Sequence, residues 1–278
     1  MIDAHQHFWH PARGDYGWIP EGDPILDRAY GPADLAPALA DCGIAQTVLV
    51  QAAPSVEETE YLLGIADTTP SVAGVVGWVN FEDPTHRTHL ERLAEHPKFL
   101  GVRPMLQDIA DVNWVLRDDI RWAFEALVDL DLTFDALGLP RHLENVHTLL
   151  MRHRDLRVVL DHAMKPEIVN GPASAFDGWA AAMTRLADTT NAVCKLSGLI
   201  TEDGADWSVE RLRPYVEHVL DAFGPARVMW GSDWPVCRLR GEYGAWFAAA
   251  QTLTAHLSPE DRVAVFSDTA RQFYRLRR

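Results

Sequence analysis

Short apolar runs alternate with amphipathic segments along the whole chain. Eight runs have the length and apolar content of buried strands, and each is followed by a segment whose apolar residues recur at helical spacing. The strand-like runs are residues 2–8, 47–52, 72–80, 100–104, 132–137, 157–162, 192–197 and 228–233. The helix-like segments are residues 34–42, 57–67, 85–95, 120–129, 143–153, 179–188, 209–223 and 243–257.

Strands that alternate with helices predict a parallel sheet. Eight such units predict an α/β fold, a closed (β/α)8 or TIM barrel, in one domain over residues 1–278. The length agrees with the roughly 250 residues typical of such barrels. We expect the helical tail, residues 259–278, to pack on the outside. A doubly wound open sheet is the alternative, because strand counts from sequence err.

The longest irregular stretch, residues 9–32, follows the first predicted strand. It contains four glycines and several prolines, and it is too long for an ordinary connection between a strand and a helix. Long loops on a rigid scaffold often carry function. We therefore interpret this stretch as a functional loop over the opening of the barrel.

The composition narrows the class of protein. Hydrophobic residues make up 47% of the chain, and the formal net charge of −15 disfavours nucleic acid, whose binding usually requires a basic face. The sequence contains no apolar run of about 18 residues, so no membrane span is predicted. The first residues lack the pattern of a signal peptide. We therefore expect a soluble, cytoplasmic protein.

Polar residues near the ends of the predicted strands are the candidates for chemistry, because the active site of such barrels lies at the C-terminal ends of the strands. An interior that gathers histidines, carboxylates and an arginine is not a packing layer, since buried charges are costly unless they are paired or bind a ligand. The candidates are His5, His7, Gln51, Asn80, Arg103, Asp135, Asp161, His162, Lys195, Ser197, Asp233 and Trp234.

The pair His5 and His7 is the most informative short pattern. Residues two apart on a strand point to the same face, about 6–7 Å apart along the backbone. Two imidazoles so placed suit one small site, either a divalent metal ion or a polarised carbonyl oxygen. An accidental pair of histidines is the alternative.

Each of the other main candidates has two interpretations. Asp233 closes an apolar strand and is interpreted as a catalytic base or metal ligand, or as the cap of the following turn. His162 is a functional residue or a hydrogen-bonded core histidine. Arg103 contacts the substrate or its carbonyl group, or it forms an ion pair with Asp135 or Asp233.

Two further charged residues are harder to orient from the sequence. Lys195 contacts the substrate, or it points outward with its stem on apolar surface. Asp161 has the opposite strand parity to His162, so it faces the helices or orients a neighbour. Other catalytic patterns are missing: the sequence contains no Gly-x-Ser-x-Gly elbow, no P-loop and no His-Glu-x-x-His.

Several segments together resemble a known family. Ile-Asp-Ala-His-Gln-His-Phe-Trp at residues 2–9, Gly-Val-Arg-Pro at 101–104, Leu-Asp-His at 160–162, Lys-Leu-Ser-Gly at 195–198 and Met-Trp-Gly-Ser-Asp-Trp-Pro at 229–235 occur in the order seen in the amidohydrolase-2 branch of the amidohydrolase superfamily. Within that branch the chain most resembles the sugar-lactone hydrolases, such as L-fuconolactonases and L-rhamnono-lactonases. The resemblance covers nearly the whole chain.

The resemblance implies a distorted (β/α)8 barrel with its site at the strand ends. The residues that match the family's metal-ligand positions are His5, His7, His162 and Asp233. Arg103 stands where two-metal members have a bridging lysine, and Asp135 lies near the place of a missing histidine. A binuclear site is therefore not expected. Two possibilities remain open: a site for one divalent ion, with zinc favoured, or catalysis without a metal.

The resemblance also implies the reaction, hydrolysis of a sugar lactone to its aldonic acid. Asp233 is expected to act as general base on water, while His162 and Arg103, together with the ion or the other histidines, polarise the carbonyl group. Residues expected to contact the substrate are Gln51, Asn80, Trp234 and Lys195.

Two rival functions are kept open. The first is a metal-dependent decarboxylase of the same family that acts on an aromatic or unsaturated carboxylic acid. The second is a non-catalytic binding protein built on the barrel. The only partner expected is a small-molecule sugar lactone, and we expect the protein to be a monomer or homodimer.

Overall fold

Eight parallel strands form one sheet in which each strand pairs with the next along the chain. The computed structural model describes residues 1–169 and 173–277. The strands are β1 (Ile2–Gln6), β2 (Gln46–Val50), β3 (Val72–Gly77), β4 (Phe99–Val102), β5 (Thr133–Ala136), β6 (Arg157–Leu160), β7 (Val193–Leu196) and β8 (Val228–Trp230). All eight predicted strands are therefore confirmed.

The residues that follow β8 close the sheet against β1. The backbone N–H of Asp233 donates to the carbonyl of His5 at 2.8 Å, and the N–H of His7 donates to the carbonyl of Trp234 at 2.7 Å. A parallel bridge between Gln6 and Trp234 completes this seam. The consecutive strand order and the closure confirm the predicted barrel and exclude the doubly wound alternative.

Helices follow the strands and cover the outside of the barrel. Within residues 1–169 and 173–277 they are α1 (Pro32–Cys42), α2 (Val56–Thr68), α3 (Arg87–Ala94), α4 (Arg121–Asp129), α5 (Leu143–Arg152), α6 (Ala173–Thr189), α7 (Leu199–Asp203), α8 (Val209–Phe223), α9 (Tyr243–Leu253), α10 (Pro259–Val263) and α11 (Thr269–Phe273). Among the described residues, none of these helices has the length and apolarity needed to cross a membrane.

The predicted strands extend beyond the observed ones at their C-terminal ends. The runs ending at Ala52, Asn80 and Asp233 stop as regular strand at Val50, Gly77 and Trp230. The apolar pattern continues for two or three residues after the ladder of hydrogen bonds ends. Most of the candidate polar residues therefore lie in the turns just beyond the strands, where the backbone is free to aim each side chain separately.

The C-terminal segment is helical as predicted, but the expected position on the outside of the barrel is wrong for its residues 270–276. Residues 270–276, here called the tail segment, pack against the apolar side chains that line the barrel interior, among them Ile2, Val193 and Met229. Arg157 holds the tail segment by donating to the carbonyl of Phe273 at 2.5 Å. Because Ile2 and Val193 begin their strands, the tail segment closes the N-terminal end of the barrel.

Residues 9–32 form a loop with its own small core. Trp9 pairs with Tyr30 in an antiparallel bridge, and both side chains are buried. Trp18 donates to the carbonyl of Ala52, just after β2, at 2.7 Å. The loop is thus tied to the end of a barrel strand, which agrees with the predicted place over the opening.

Close approach of β4 and β5 depends on Gly101. A Cβ at this position would lie 2.2 Å from the backbone oxygen of Thr133, whereas a Cβ at Gly64, inside α2, would meet nothing within 4 Å. We expect Gly101→Ala to lower the free energy of unfolding by about 3 kcal/mol, because a backbone atom cannot rotate away. Urea unfolding measures this, and Gly64→Ala, the matched control, should be neutral or slightly stabilising. Equal effects of the two substitutions would contradict the packing argument.

Candidate active site

The structure brings His5 and His7 together at the C-terminal end of β1. Their Nε2 atoms lie 3.2 Å apart. The ring of His7 is fixed from behind, because its Nδ1 lies 2.8 Å from the carbonyl oxygen of Val50. A carbonyl only accepts, so Nδ1 carries the proton, and in the neutral imidazole Nε2 then presents a lone pair to the site. Gly231 lets β8 approach closely, since a Cβ there would lie 2.6 Å from the Cβ of His5.

His162 and Asp233 reach the same place from left-handed backbone. His162 begins a run of four residues with positive φ, from 53° at His162 to 51° at Lys165, and Asp233 has φ of 56°. This region costs non-glycine residues about 1–2 kcal/mol each, and such strain is typical of functional sites. The ring of His162 is held by Ser197, whose Oγ lies 2.8 Å from Nδ1.

One carboxylate oxygen lies at the centre of the cluster. Oδ1 of Asp233 is 3.3 Å from Nε2 of His7, 3.7 Å from Nε2 of His5 and 3.8 Å from Nε2 of His162. All four side chains are buried or nearly so. The three imidazoles therefore converge on one carboxylate at the end of the barrel where such folds place their sites.

This donor set suits a divalent cation such as zinc. Ligand atoms of His5, His7 and Asp233 lie within 4.8 Å of one another. Tetrahedral zinc with ligand distances of about 2.0–2.1 Å separates its ligand atoms by roughly 3.3 Å, close to the spacings observed here. In addition, when His7 is neutral with its proton on Nδ1, Nε2 of His7 and Oδ1 of Asp233 are both acceptors, and a cation between them would remove their repulsion.

Burial and neighbouring charges set the protonation states of the cluster. Burial opposes ionisation of Asp233, but His162 and His7 outweigh it and hold the pKa of this carboxyl below its usual range. Burial lowers the pKa of His162 to about 4. Burial and the nearby Lys195 ammonium hold the pKa of His5 well below its usual range. At neutral pH Asp233 is therefore ionised, and His5 and His162 are neutral.

Arg103 lies beside the histidines and is clamped by Gln51. Its Nη1 is 3.4 Å from Nε2 of His5, and its Nη2 donates to Oε1 of Gln51 at 3.1 Å and also to the Gln51 carbonyl. Gln51 in turn donates to the carbonyl of Arg103 at 2.9 Å. Among the described residues, the buried Nε of Arg103 has no hydrogen-bond partner. A cationic donor with spare capacity is thus fixed at the edge of the cluster.

Lys195 lies behind His5, inside the barrel, with no exposed surface. Its ammonium contacts Asp135 at 2.6 Å, Asp161 at 3.0 Å and Nδ1 of His5 at 3.2 Å. The outward orientation considered for Lys195 is therefore wrong. Asp161 also faces the interior rather than the helices, since it lies 3.8 Å from Arg103 as well.

Two residues expected to contact a substrate lie away from the cluster. The ring of Trp234 is buried against Phe8 and Tyr30. Asn80 is half-buried and accepts from the backbone of Glu82 at 3.0 Å. It lines a cleft of about 270 Å³ together with Trp78 after β3, Pro104 after β4, and Trp114 in the connection from β4 to α4.

Sequence reasoning missed two buried groups near the site. Tyr274 of the tail segment donates to Asp135 at 2.5 Å, although no motif marks this tyrosine. Glu58, in the first turn of α2, accepts from the N–H of Ala52 at 2.9 Å. It is fully buried, and a glutamate at such a position would be interpreted from sequence as a favourable charge at the helix N-terminus.

Glu58 should make stability depend on pH. Burial raises the pKa of Glu58 to about 8. Between the ordinary pKa of glutamate and about 8, the folded chain keeps a proton that the unfolded chain has already released. The free energy of unfolding therefore falls as the pH rises through this interval. Glu58→Gln removes the effect. Between pH 6 and pH 8 we expect the wild-type free energy of unfolding to fall by about 2 kcal/mol more than that of the variant.

Urea unfolding at the two pH values tests this expectation. Glu57→Gln changes the same atoms at an exposed position on the same helical turn, and it should leave the pH dependence of the wild type unchanged. Parallel curves for wild type and Glu58→Gln would show that Glu58 is ionised in the folded protein.

Comparison with known proteins identifies the family of the chain. The family model described as amidohydrolase matches residues 2–276. A curated relative from Burkholderia ambifaria, named L-fucono-1,5-lactonase, is 46% identical over 281 residues, which cover 100% of this chain and 96% of the relative. A second protein of that name, from Burkholderia multivorans, is 37% identical over 99% of this chain and 96% of its own length.

Solved structures similar to this chain are also amidohydrolases. Crystal structures of an amidohydrolase from Burkholderia multivorans, one with bound Hepes and one with bound zinc, superpose with a TM-score of 0.92 at 37% identity and cover 99% of both chains. The match of the family model over almost the full length, with relatives well above 30% identity, establishes the family. The chain belongs to the amidohydrolase family.

Proposed function

We propose that the protein hydrolyses a sugar lactone, opening the ring to the corresponding aldonic acid. The observation that carries this proposal is the convergence of three imidazoles around the ionised Asp233, at 3.3–3.8 Å, with Arg103 beside one of them, His5, at 3.4 Å. Ester hydrolysis requires a base for water and positive or donor groups for the developing oxyanion. The site supplies both, and the two curated relatives described above are named lactonases.

Asp233 serves as the general base. Its carboxylate takes a proton from water as the water oxygen bonds to the lactone carbonyl carbon. When the ring C–O bond breaks, the leaving alkoxide regains that proton from Asp233, and the carboxylate is restored. The products are the aldonic acid and the unchanged enzyme, so one water is consumed for each ring opened.

Arg103 and the histidines, directly or through a bound ion, stabilise the carbonyl oxygen as it becomes negative. Nη1 of Arg103 is a cationic donor 3.4 Å from Nε2 of His5, and among the described residues the Nε of Arg103 has no hydrogen-bond partner of its own. Fixed donors at an oxyanion contribute most when they are already oriented before the reaction. Gln51 provides this orientation by bonding Arg103 at both its side chain and backbone.

A divalent ion held by His5, His7, His162 and Asp233 would add Lewis-acid polarisation of the carbonyl group. Neutral His7 donates its Nδ1 proton to the carbonyl of Val50. Its Nε2 lone pair can therefore bind the ion, but it cannot donate to the oxyanion. His5 retains two options, a lone pair for the ion or an Nε2–H that donates to the oxyanion.

L-fucono-1,5-lactone or a closely related six-membered aldonolactone is the substrate class that the relatives favour. Asn80 lies in the cleft between the ends of β3 and β4 and is proposed to contact a sugar hydroxyl. Direct contacts of Trp234 and Lys195 with the substrate stay predictions, and Lys195 would require a path past His5. The decarboxylase alternative is less supported, because the curated relatives at 37–46% identity are lactonases.

The role of Asp233 is tested by Asp233→Asn. Asparagine keeps the shape and tolerates the left-handed backbone, but it cannot accept the proton of water. We expect kcat for a sugar lactone to fall at least about 100-fold, measured as acid release with a pH indicator. Asp131→Asn is the matched control, since Asp131 also has positive φ, of 56°, and precedes β5 at the opposite end of the barrel. An unchanged kcat in Asp233→Asn would remove Asp233 from the mechanism.

The metal site is tested by zinc content and by chelation. After exposure to Zn²⁺ and removal of the excess, we expect about one zinc per chain. His7→Gln should lower zinc affinity at least tenfold, because it removes the Nε2 atom that would bind the metal. Chelation should lower the lactonase rate and Zn²⁺ should restore it. Full activity without bound zinc would assign carbonyl polarisation to His5 and Arg103.

A further inference from the structure

The tail segment places a hydroxyl inside the barrel beneath the candidate active site. Tyr274 is 3% exposed and packs among the interior-lining side chains. Its hydroxyl donates to Oδ2 of Asp135 at 2.5 Å. Burial and the adjacent Asp135 raise the pKa of this hydroxyl well above its usual range, so it keeps its proton and remains a donor to the carboxylate.

Asp135 connects this tyrosine with Lys195. The same Oδ2 atom accepts from Nζ of Lys195 at 2.6 Å, and the Lys195 ammonium also lies 5.5 Å from the centre of the Tyr274 ring. Tyr274 is therefore linked to Lys195 in two ways: both residues donate to the same oxygen of Asp135, and the ring of Tyr274 faces the ammonium. Both contacts come from a segment that follows all eight strands in the chain.

Lys195 carries the contact upward to His5. Three groups surround the ammonium: Asp135 accepts from it at 2.6 Å, Nδ1 of His5 lies 3.2 Å from it, and Asp161 forms an ion pair with it at 3.0 Å. The position of the ammonium is thus determined from three sides. A shift at Asp135 must change the contacts at Asp161 and His5.

Two groups compete for Nδ1 of His5, and the outcome decides what Nε2 offers to the site. Oδ1 of Asp161 lies 3.4 Å from Nδ1, and if it accepts from Nδ1–H, then Nε2 is a lone pair suited to a metal ion. If instead Lys195 donates to Nδ1, then Nε2 carries the proton and donates to a carbonyl oxygen. The placement of the Lys195 ammonium therefore selects between the two roles of His5.

We propose that Tyr274 is a positioning residue of the active site, which acts through Asp135 and Lys195 to set the orientation and tautomer of His5. The contribution to catalysis rests on the proposed function, whereas the effect on His5 does not. Tyr274 touches neither substrate nor reacting atoms in this arrangement. Partners that orient a ligand histidine are commonly worth about 10–100-fold in metal affinity or activity.

Tyr274→Phe tests the proposal because it keeps the ring and removes only the hydroxyl. In the full-length protein as purified, with ¹⁵N-labelled histidine, we expect the Nδ1 and Nε2 resonances of His5 to shift in the variant. These resonances are identified by their loss in His5→Gln. We also expect kcat on a sugar lactone to fall about 10–100-fold while KM changes less than about threefold, because substrate contacts are unaffected.

Leu276→Ala is the matched control. It loosens the tail segment at another buried position without removing a hydrogen bond, so it should lower thermal stability and leave the His5 resonances in place. Unchanged His5 resonances in Tyr274→Phe, or shifts of equal size in Leu276→Ala, would overturn the proposal. If the wild-type protein opens no lactone, the proposed function falls, and the resonances still decide the role of Tyr274.

Discussion

The buried ammonium of Lys195 between Asp135 and Asp161 is the interaction on which the arrangement of the site depends. An isolated charge in the interior of a barrel would be very costly, and only close pairing makes it tolerable. Two carboxylates at 2.6 and 3.0 Å provide that pairing. Asp161 in turn lies near both His5 and Arg103. The interior is therefore one connected network of charges, in which removal of any member leaves an uncompensated partner.

The barrel brings the C-terminal ends of all strands to one edge. The backbone of the residues just beyond the strands sets the direction of each side chain. Regular strand geometry would alternate side chains between the interior and the helices. Left-handed backbone at His162 and Asp233 departs from that alternation and turns both side chains toward the pair on β1. The strained conformations are held by the surrounding packing, including Gly198, where a Cβ would lie 2.7 Å from Nδ1 of His162.

The alternating pattern was sufficient to predict the barrel and the strand ends that hold the candidate polar residues, and the family resemblance singled out the four that converge at the barrel opening. Apolar runs that end in polar residues locate strand ends, and in a parallel barrel all those ends meet. The sequence was insufficient to predict the direction in which individual side chains point. Strand parity fails where the backbone becomes left-handed, as at His162, and the ring of Trp234 turned into the core. Tyr274 could not be found, because its partner Asp135 is 139 residues away and a tyrosine in a helical tail has no distinguishing pattern.

The position of Tyr274 along the chain has a consequence for biosynthesis. His5, on β1, is synthesised before the other seven strands, whereas the hydroxyl that joins its network through Asp135 and Lys195 is synthesised after β8. A nascent chain with all eight strands complete still has its N-terminal barrel opening uncovered by the tail segment and its interior carboxylate short of one donor. The network behind the candidate active site is therefore complete only when translation has passed the last strand, so a barrel formed earlier would have all eight strands but lack the Tyr274 hydroxyl.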